Sequence, residues 1–290
     1  MTLFTLASLK GSPGVTTLAC LVGASWAVDR RVVVVESDSC GSDLAPRFGL
    51  VPRTGWGSLA SAARRLPAEL DIEAHLQELP GGLEVLVGTG GDEPVRGGSS
   101  TRQEAEQAVL RFAVTDDVLV DAGRLLPGDP RSQLWLARSA VVALAARNDA
   151  ASIVHLRDHA PEVLDRCNGR AAVVLVGADG YPPLEVASFT GLSILAQIPF
   201  EPEAAAVATT GRGSHRRLQR SGLAMAASRL ADQLLDAAAP LDGSSGGGST
   251  RDAIGGDTTK GADDPSFGAG AVPQEVPPSS GADRNGSVFS

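Results

Sequence analysis

The sequence predicts an α/β protein, a doubly wound and mainly parallel sheet flanked by helices, and three observations carry that expectation. Apolar runs of strand length recur along the first 200 residues, segments with helical periodicity separate them, and the runs are continuous rather than alternating. An alternating run buries one face of a strand, whereas a continuous run needs cover on both faces. Helices packed on the two sides of a parallel sheet provide that cover, and strand–helix alternation is the pattern of doubly wound folds.

The first run, 3–9, passes through a Gly-containing turn into a helix over 16–28. The second, 31–36, holds four successive valines and ends in Glu36. Further strands are predicted at 83–87 and 118–121, with helices at 68–78 and 101–112. Between them, 88–100 is a Gly-rich loop carrying Asp92, Glu93 and Arg96, expected at the surface. The second half reads as strand 140–146, helix 151–167, strand 171–176, a polar loop with a short helix around Glu185, and strand 193–198. A last helix, 216–237, is amphipathic, with Leu218, Leu223, Met225, Leu230, Leu234 and Leu235 expected on the face that docks on the sheet. From Leu241 onward the periodicity stops and Gly, Ser, Pro and Asp dominate. The expected organisation is one folded domain, 1–240, and a disordered tail, 241–290.

Composition limits the function classes. With 43% hydrophobic and 20% charged residues in 290, the chain can bury a full core, which excludes a wholly disordered protein. Net charge is −9, and residues 1–240 hold 27 acids against 22 bases, which argues against tight sequence-independent nucleic-acid binding. The Arg216, Arg217 and Arg220 cluster is the one local patch that could face DNA or a membrane. Cys20, Cys40 and Cys167 form no C-x-x-C pair; their odd number fits a reducing cytoplasm, and each is expected to be a small buried apolar residue. No basic leader and no run of 18 apolar residues is present, so the expectation is an unexported protein without a membrane span. His155 and His159 stand four apart without the glutamate of H-E-x-x-H and read as a solvated helix face.

The first strand runs directly into Leu9-Lys10-Gly11-Ser12-Pro13-Gly14-Val15-Thr16-Thr17, where a helix begins. A strand, glycine-loop, helix junction aims backbone N–H groups and the positive end of a helix dipole at one point, where a phosphate can sit. The common G-x-x-x-x-G-K-[ST] loop does not fit, because Leu9 occupies its first glycine and Val15 its lysine. Lys10 to Thr17 instead resembles K-G-G-x-G-K-[ST]-[ST], the deviant Walker A motif of the ParA/MinD family of P-loop ATPases, with Ser12 at the second glycine and Val15 as the departure. The segment Glu36-Ser37-Asp38-Ser39-Cys40-Gly41 resembles that family's switch I, and Val120-Asp121-Ala122-Gly123 its Walker B strand running into switch II. Residues 171–199 are similar to its base-binding end, where a strand closes in a proline loop at Pro199.

The resemblance implies a P-loop NTPase fold that takes ATP and Mg²⁺. By it, Lys10 reaches the phosphates of a nucleotide held by the partner of a homodimer, and Gly11, Ser12, Pro13, Gly14, Val15, Thr16 and Thr17 cradle the nucleotide in cis. Thr16, Asp38 and Asp121 would surround the metal, Asp38 also orienting the attacking water, with Gly123 near the γ-phosphate and Pro199 near the base. Gly177 stands where many relatives carry an Asn that reads the base, which leaves base specificity open. Val15 removes a full positive charge from the phosphate site, so hydrolysis is expected to be weak or lost. The implied function is a nucleotide-dependent dimerising positioning or assembly protein of a bacterial cytoplasm, peripheral to membrane or nucleoid. Degraded loops of this kind occur in the TadZ/CpaE-like members that localise Tad pilus and secretion systems. The alternatives are an active chromosome or plasmid partitioning or cell-division ATPase, and a pseudo-ATPase scaffold that binds no nucleotide.

Overall fold

A computed structural model describes residues 2–11, 13–51, 53–65, 70–88, 98–177 and 179–239. The tail expected beyond residue 240, Ser12, and most of the 88–100 loop lie outside the described residues. In chain order the elements are β1 (Leu3–Ser8), α1 (Val15–Ala24), β2 (Val32–Glu36), α2 (Leu44–Phe48), α3 (Trp56–Ala63), β3 (Gln77–Glu78), β4 (Glu84–Leu86), α4 (Gly98–Phe112) and β5 (Asp117–Arg124). They continue as α5 (Pro130–Arg138), β6 (Val141–Arg147), α6 (Ala150–Arg166), β7 (Ala171–Val176), α7 (Pro183–Thr190), β8 (Ser193–Ile198), α8 (Pro202–Thr210), α9 (His215–Gln219) and α10 (Gly222–Ala238). The strands form one sheet in the order β3-β4-β2-β5-β1-β6-β7-β8, parallel throughout except for the β3–β4 pair.

The continuous apolar runs are explained by cover on both faces. Val33 and Val35 of β2 join a core with Trp56, Phe112, Trp135 and Leu156 from α3 to α6. Val32 and Val34 point the other way, into a core with Leu18, Val22, Leu230 and Leu234 from α1 and α10. Gly23 lets α1 lie close on the sheet, since a Cβ there would come within 2.8 Å of Val34 Cγ2. Among the described residues no helix is long and apolar enough to cross a membrane.

Five local expectations fail. Residues 70–78 form no α-helix, only a 3₁₀ turn at Glu73–His75 followed by β3. A tight turn with Gly81 at φ +107° and Gly82 at φ +90° folds this segment back so that β3 pairs antiparallel with β4, and that pairing overrides the helical periodicity. The first helix stops at Ala24 rather than 28, because Trp26 turns inward and its indole donates to buried Asp117 at 2.9 Å. The predicted 216–237 helix is two helices: Ser221 caps α10, and Glu201 accepts from the Gly222 N–H at 3.1 Å. Of its apolar residues, Leu223, Leu230 and Leu234 are buried, but Met225 is exposed. Cys20 and Cys167 are buried, whereas Cys40 is exposed, and all three are free thiols. Helices α2, α3, α5 and α8 were not expected from the sequence.

Candidate functional site

The loop between β1 and α1 leaves the sheet at its centre, where β1 lies between β5 and β6. Lys10 and Gly11 are exposed and Pro13 is half-buried. Gly14 caps α1 at φ +91°, a left-handed conformation that favours glycine, and no side chain takes the cap hydrogen bond. The first-turn N–H groups are thereby free of a capping side chain, as an anion site requires. Val15 points away from this opening into the core shared with Leu18 and Leu21, and it is 5% exposed. Thr16 and Thr17 are half-buried at the opening.

Parallel pairing brings the acidic strand ends alongside. β2 and β5 run in register so that Glu36 stands opposite Asp121. Asp121 is fully buried; its Oδ1 accepts from the Gly123 N–H at 3.1 Å, and its Oδ2 has no hydrogen-bond partner among the described residues. Burial first, with repulsion from Glu36 and Asp38, pushes this carboxyl up to about 7, against the opposing pull of the nearby Thr16 hydroxyl and the Gly123 N–H. Asp38 is half-buried and accepts from the Cys40 N–H at 2.7 Å. Burial raises its pKa as well. Gly123, at φ +55°, makes room for it: a Cβ there would lie 1.9 Å from Asp38 Oδ2.

A buried, unpartnered carboxylate oxygen beside a threonine hydroxyl and a second carboxylate suits a hard divalent cation. Among the described residues no three His, Cys, Asp or Glu side chains form a metal cage. That donor set matches Mg²⁺, which keeps waters and is held by one or two carboxylates together with phosphate oxygens. Thr16, Asp38 and Asp121 are the side chains that could hold such a cation. His155 and His159 stack with ring centroids 4.3 Å apart on α6.

Pro199 lies across the loop from this acidic end. With Pro13, Gly14, Thr17, Arg147 and Phe200 it lines a cleft of about 130 Å³, and the Arg147 guanidinium sits 5.7 Å from the centre of the Phe200 ring. The cleft joins the Gly14 turn to the ends of β7 and β8, the end that the family resemblance likens to a base-binding site. Gly177, at φ +107°, donates its N–H to Ile198 O at 2.8 Å and tightens that end. Asn148 is committed nearby to the 177–181 loop, its amide bonding Tyr181 N and O at 3.0 Å each.

The structure therefore gathers Lys10, Gly11, Pro13, Gly14, Thr16, Thr17, Asp38, Asp121 and Gly123 at one end of the sheet, with Pro199 on the far side of the same opening. Val15 adjoins the site only through its backbone. Glu36, the first residue of the switch-like segment, is buried and its carboxylate is engaged by neighbouring loops. Its Oε1 accepts from Asp43 N at 2.6 Å and Leu44 N at 2.9 Å, and its Oε2 from the Ser42 hydroxyl at 2.6 Å and Gly88 N at 2.8 Å, so it is a buried anchor for two loops. Sequence reasoning also missed the tie from Ser39 to α5. The Ser39 hydroxyl donates at 2.7 Å to Asp129, whose carboxylate caps that helix. The Asp-Pro pair at 129–130 was a readable helix start.

No family model matches the sequence, and no curated protein does. Solved structures do match. MinD from Aquifex aeolicus superposes with a TM-score of 0.62 at 17% identity, over 81% of this chain and 97% of that one. A ParA family ATPase from Chlorobium tepidum gives 0.63 at 18% identity, over 81% and 98%. MinD from Pyrococcus horikoshii, complexed with Mg-ADP, gives 0.60 at 19%, over 83% and 99%. The eight-stranded sheet with its loop at the central strand is thus the P-loop NTPase fold of the MinD and ParA structures.

Proposed function

We propose that this chain is a nucleotide-dependent positioning or assembly protein of ParA/MinD type, which binds ATP with Mg²⁺, dimerises around it and hydrolyses it weakly. The observation that carries this reading is the orphaned Oδ2 of buried Asp121, set beside Thr16 at the start of α1. In this reading the N–H groups of 14–17 hold the phosphates, Thr16, Asp38 and Asp121 hold the metal, and Asp38 orients the attacking water. The bound cation would neutralise charge developing on the phosphates. Pro199 and the cleft around it receive the base, and Lys10, exposed at the loop's outer edge, reaches the nucleotide of the partner subunit. That MinD from P. horikoshii is a complex with Mg-ADP, and that MinD of A. aeolicus forms a complex with MinC, supports nucleotide binding and partner recruitment here. Val15 supports a localisation role of the TadZ/CpaE kind, for a pilus or secretion assembly, over a partitioning motor, because a buried valine cannot stabilise charge on the transferring phosphoryl group. The folding unit is 1–240, with the tail as a tether.

Light scattering and thermal melting of the full chain, with and without ATP and Mg²⁺, test this. The expected result is a monomer-to-dimer shift with a raised melting temperature, and a Lys10→Ala variant that stays monomeric while keeping the wild-type melt without nucleotide. Absence of any melting shift at saturating ATP would leave the scaffold as the better reading, since a ligand at 100 times its dissociation constant adds about 2.7 kcal/mol.

A further inference from the structure

Val15 leaves a question of charge. A nucleoside triphosphate brings several negative charges to a loop whose helix-start residue is apolar and buried, and N–H dipoles bind an anion without supplying the full positive charge that balances it. Lys10 is exposed at the outer edge, and its charge is felt by Asp149 at the start of α6, on the β6 side of the loop. On the acidic side, where the proposed Mg²⁺ would be held by Asp38 and Asp121, position 15 contributes no side-chain cation.

β5 supplies one. It runs three residues past Asp121, and its last residue, Arg124, stands level with Ser8 of β1, two positions before Lys10. The turn at Gly123 fixes this placement, with the Ser8 hydroxyl donating to Gly123 O at 3.2 Å and Leu125 N to Ser8 O at 2.8 Å. The side chain of Arg124 then lies against the loop: its Cδ would be 3.9 Å from a Cβ built on Gly11, an ordinary contact distance. Its charge also lowers the pKa of the Cys40 thiol, beside Asp38, although burial and Asp38 raise that thiol overall. Arg124 is exposed and makes no salt bridge among the described residues. An arginine held by its backbone between a phosphate loop and a carboxylate loop, with its guanidinium uncommitted, is placed to take an anion.

We propose that Arg124 is the cation that faces the terminal phosphate of a nucleoside triphosphate held by the 10–17 loop, and so sets the preference for triphosphate over diphosphate in place of the lysine that Val15 displaces. This rests on the nucleotide-site reading above. A planar guanidinium suits the task, since it grips phosphate oxygens in pairs.

Equilibrium binding of ADP and of a non-hydrolysable ATP analogue, each with Mg²⁺, to the full chain tests the proposal in wild type, Arg124→Gln and Arg124→Lys. Glutamine keeps most of the stem and removes the charge. The expected result is a wild type that prefers the triphosphate and an Arg124→Gln variant that loses about tenfold or more of triphosphate affinity. Its ADP affinity and melting temperature stay unchanged, and Arg124→Lys recovers part of the loss. A wild type that binds both nucleotides equally, or a glutamine variant that keeps the wild-type preference, overturns the assignment of Arg124 and leaves the nucleotide site standing. Equal loss of ADP affinity in the glutamine variant overturns it too. A wild type that binds neither nucleotide overturns both this inference and the function on which it rests.

Discussion

Asp121 is the least solvated carboxyl of the site, and its protonation is written into stability. Its folded-state pKa of about 7 lies above the ordinary 3.8, so between these values the folded chain holds a proton that the unfolded chain has released. Stability should therefore fall as pH rises from about 4 to about 7 on account of this group, and level off above that. Urea unfolding of wild type and Asp121→Asn at pH 5 and pH 8 checks the sign: the wild type should lose more stability over that interval than the variant. Equal losses would mean that the carboxyl is already ionised at pH 5. At this scale the sequence was informative where chemistry depends on position along a strand. Asp38, Asp121 and Gly123 follow apolar runs, and parallel pairing brings such ends together. The anchoring role of Glu36 was not legible by that rule, because its four donors come from Ser42, Asp43, Leu44 and Gly88, and Gly88 is 52 residues away. Arg124 escaped for a similar reason, since nothing local marks which residue of β5 will stand beside Gly11.

Elements tied down by local signals were legible, and those decided by distant partners were not. Loop 9–17 announces a strand-to-helix turn through Gly14, and the β1, β2, β6 and β7 runs through their unbroken apolarity. The 70–78 segment has a helical pattern, yet Gln77 is claimed by other chain segments. Its side chain bonds Val51 N and O and Thr54 O at 2.8 to 2.9 Å, while its backbone pairs with β4. The α9–α10 break likewise depends on Glu201, which precedes Gly222 by 21 residues. Glu36 shows what such distant ties contribute: Glu36→Ala would leave the N–H groups of Asp43, Leu44 and Gly88 without their acceptor at the end of a buried strand. The expected cost is more than about 2 kcal/mol, the scale for orphaning buried donors of a charged acceptor. Chemical denaturation measures it. A loss below about 0.5 kcal/mol would mean that water replaces the carboxylate at no cost, as is usual only for surface substitutions.

For the whole molecule, composition and strand–helix alternation were enough to give the α/β class and the mainly parallel sheet. They could not give the strand order or the antiparallel β3 edge, because pairing between strands far apart in sequence leaves no periodic trace. Among the described residues the last buried core side chain is Leu234, and α10 ends at Ala238, two residues before the boundary expected at 240. Truncation after Pro240 should therefore leave the melting transition within about one degree of the full chain, as measured by calorimetry, because it removes none of those core side chains. A drop of several degrees would assign a packing role to residues beyond 240, since roughly 1 kcal/mol corresponds to a few degrees in a domain of this size.

The central place of β1 also has a consequence for how the protein is made. Leu3 pairs with Val118 and Phe4 with Val141, so during synthesis β1 has no neighbour until β5 follows it by roughly 115 residues, and it lacks the second until β6. At ordinary translation rates that wait is roughly six to twenty-five seconds. Through that interval Leu3, Phe4 and Leu6, all buried in the finished fold, have no sheet to enter. Nascent-chain capture by a holdase chaperone should be strongest before β5 emerges, and the 9–17 loop gains strands on both sides only when β6 arrives.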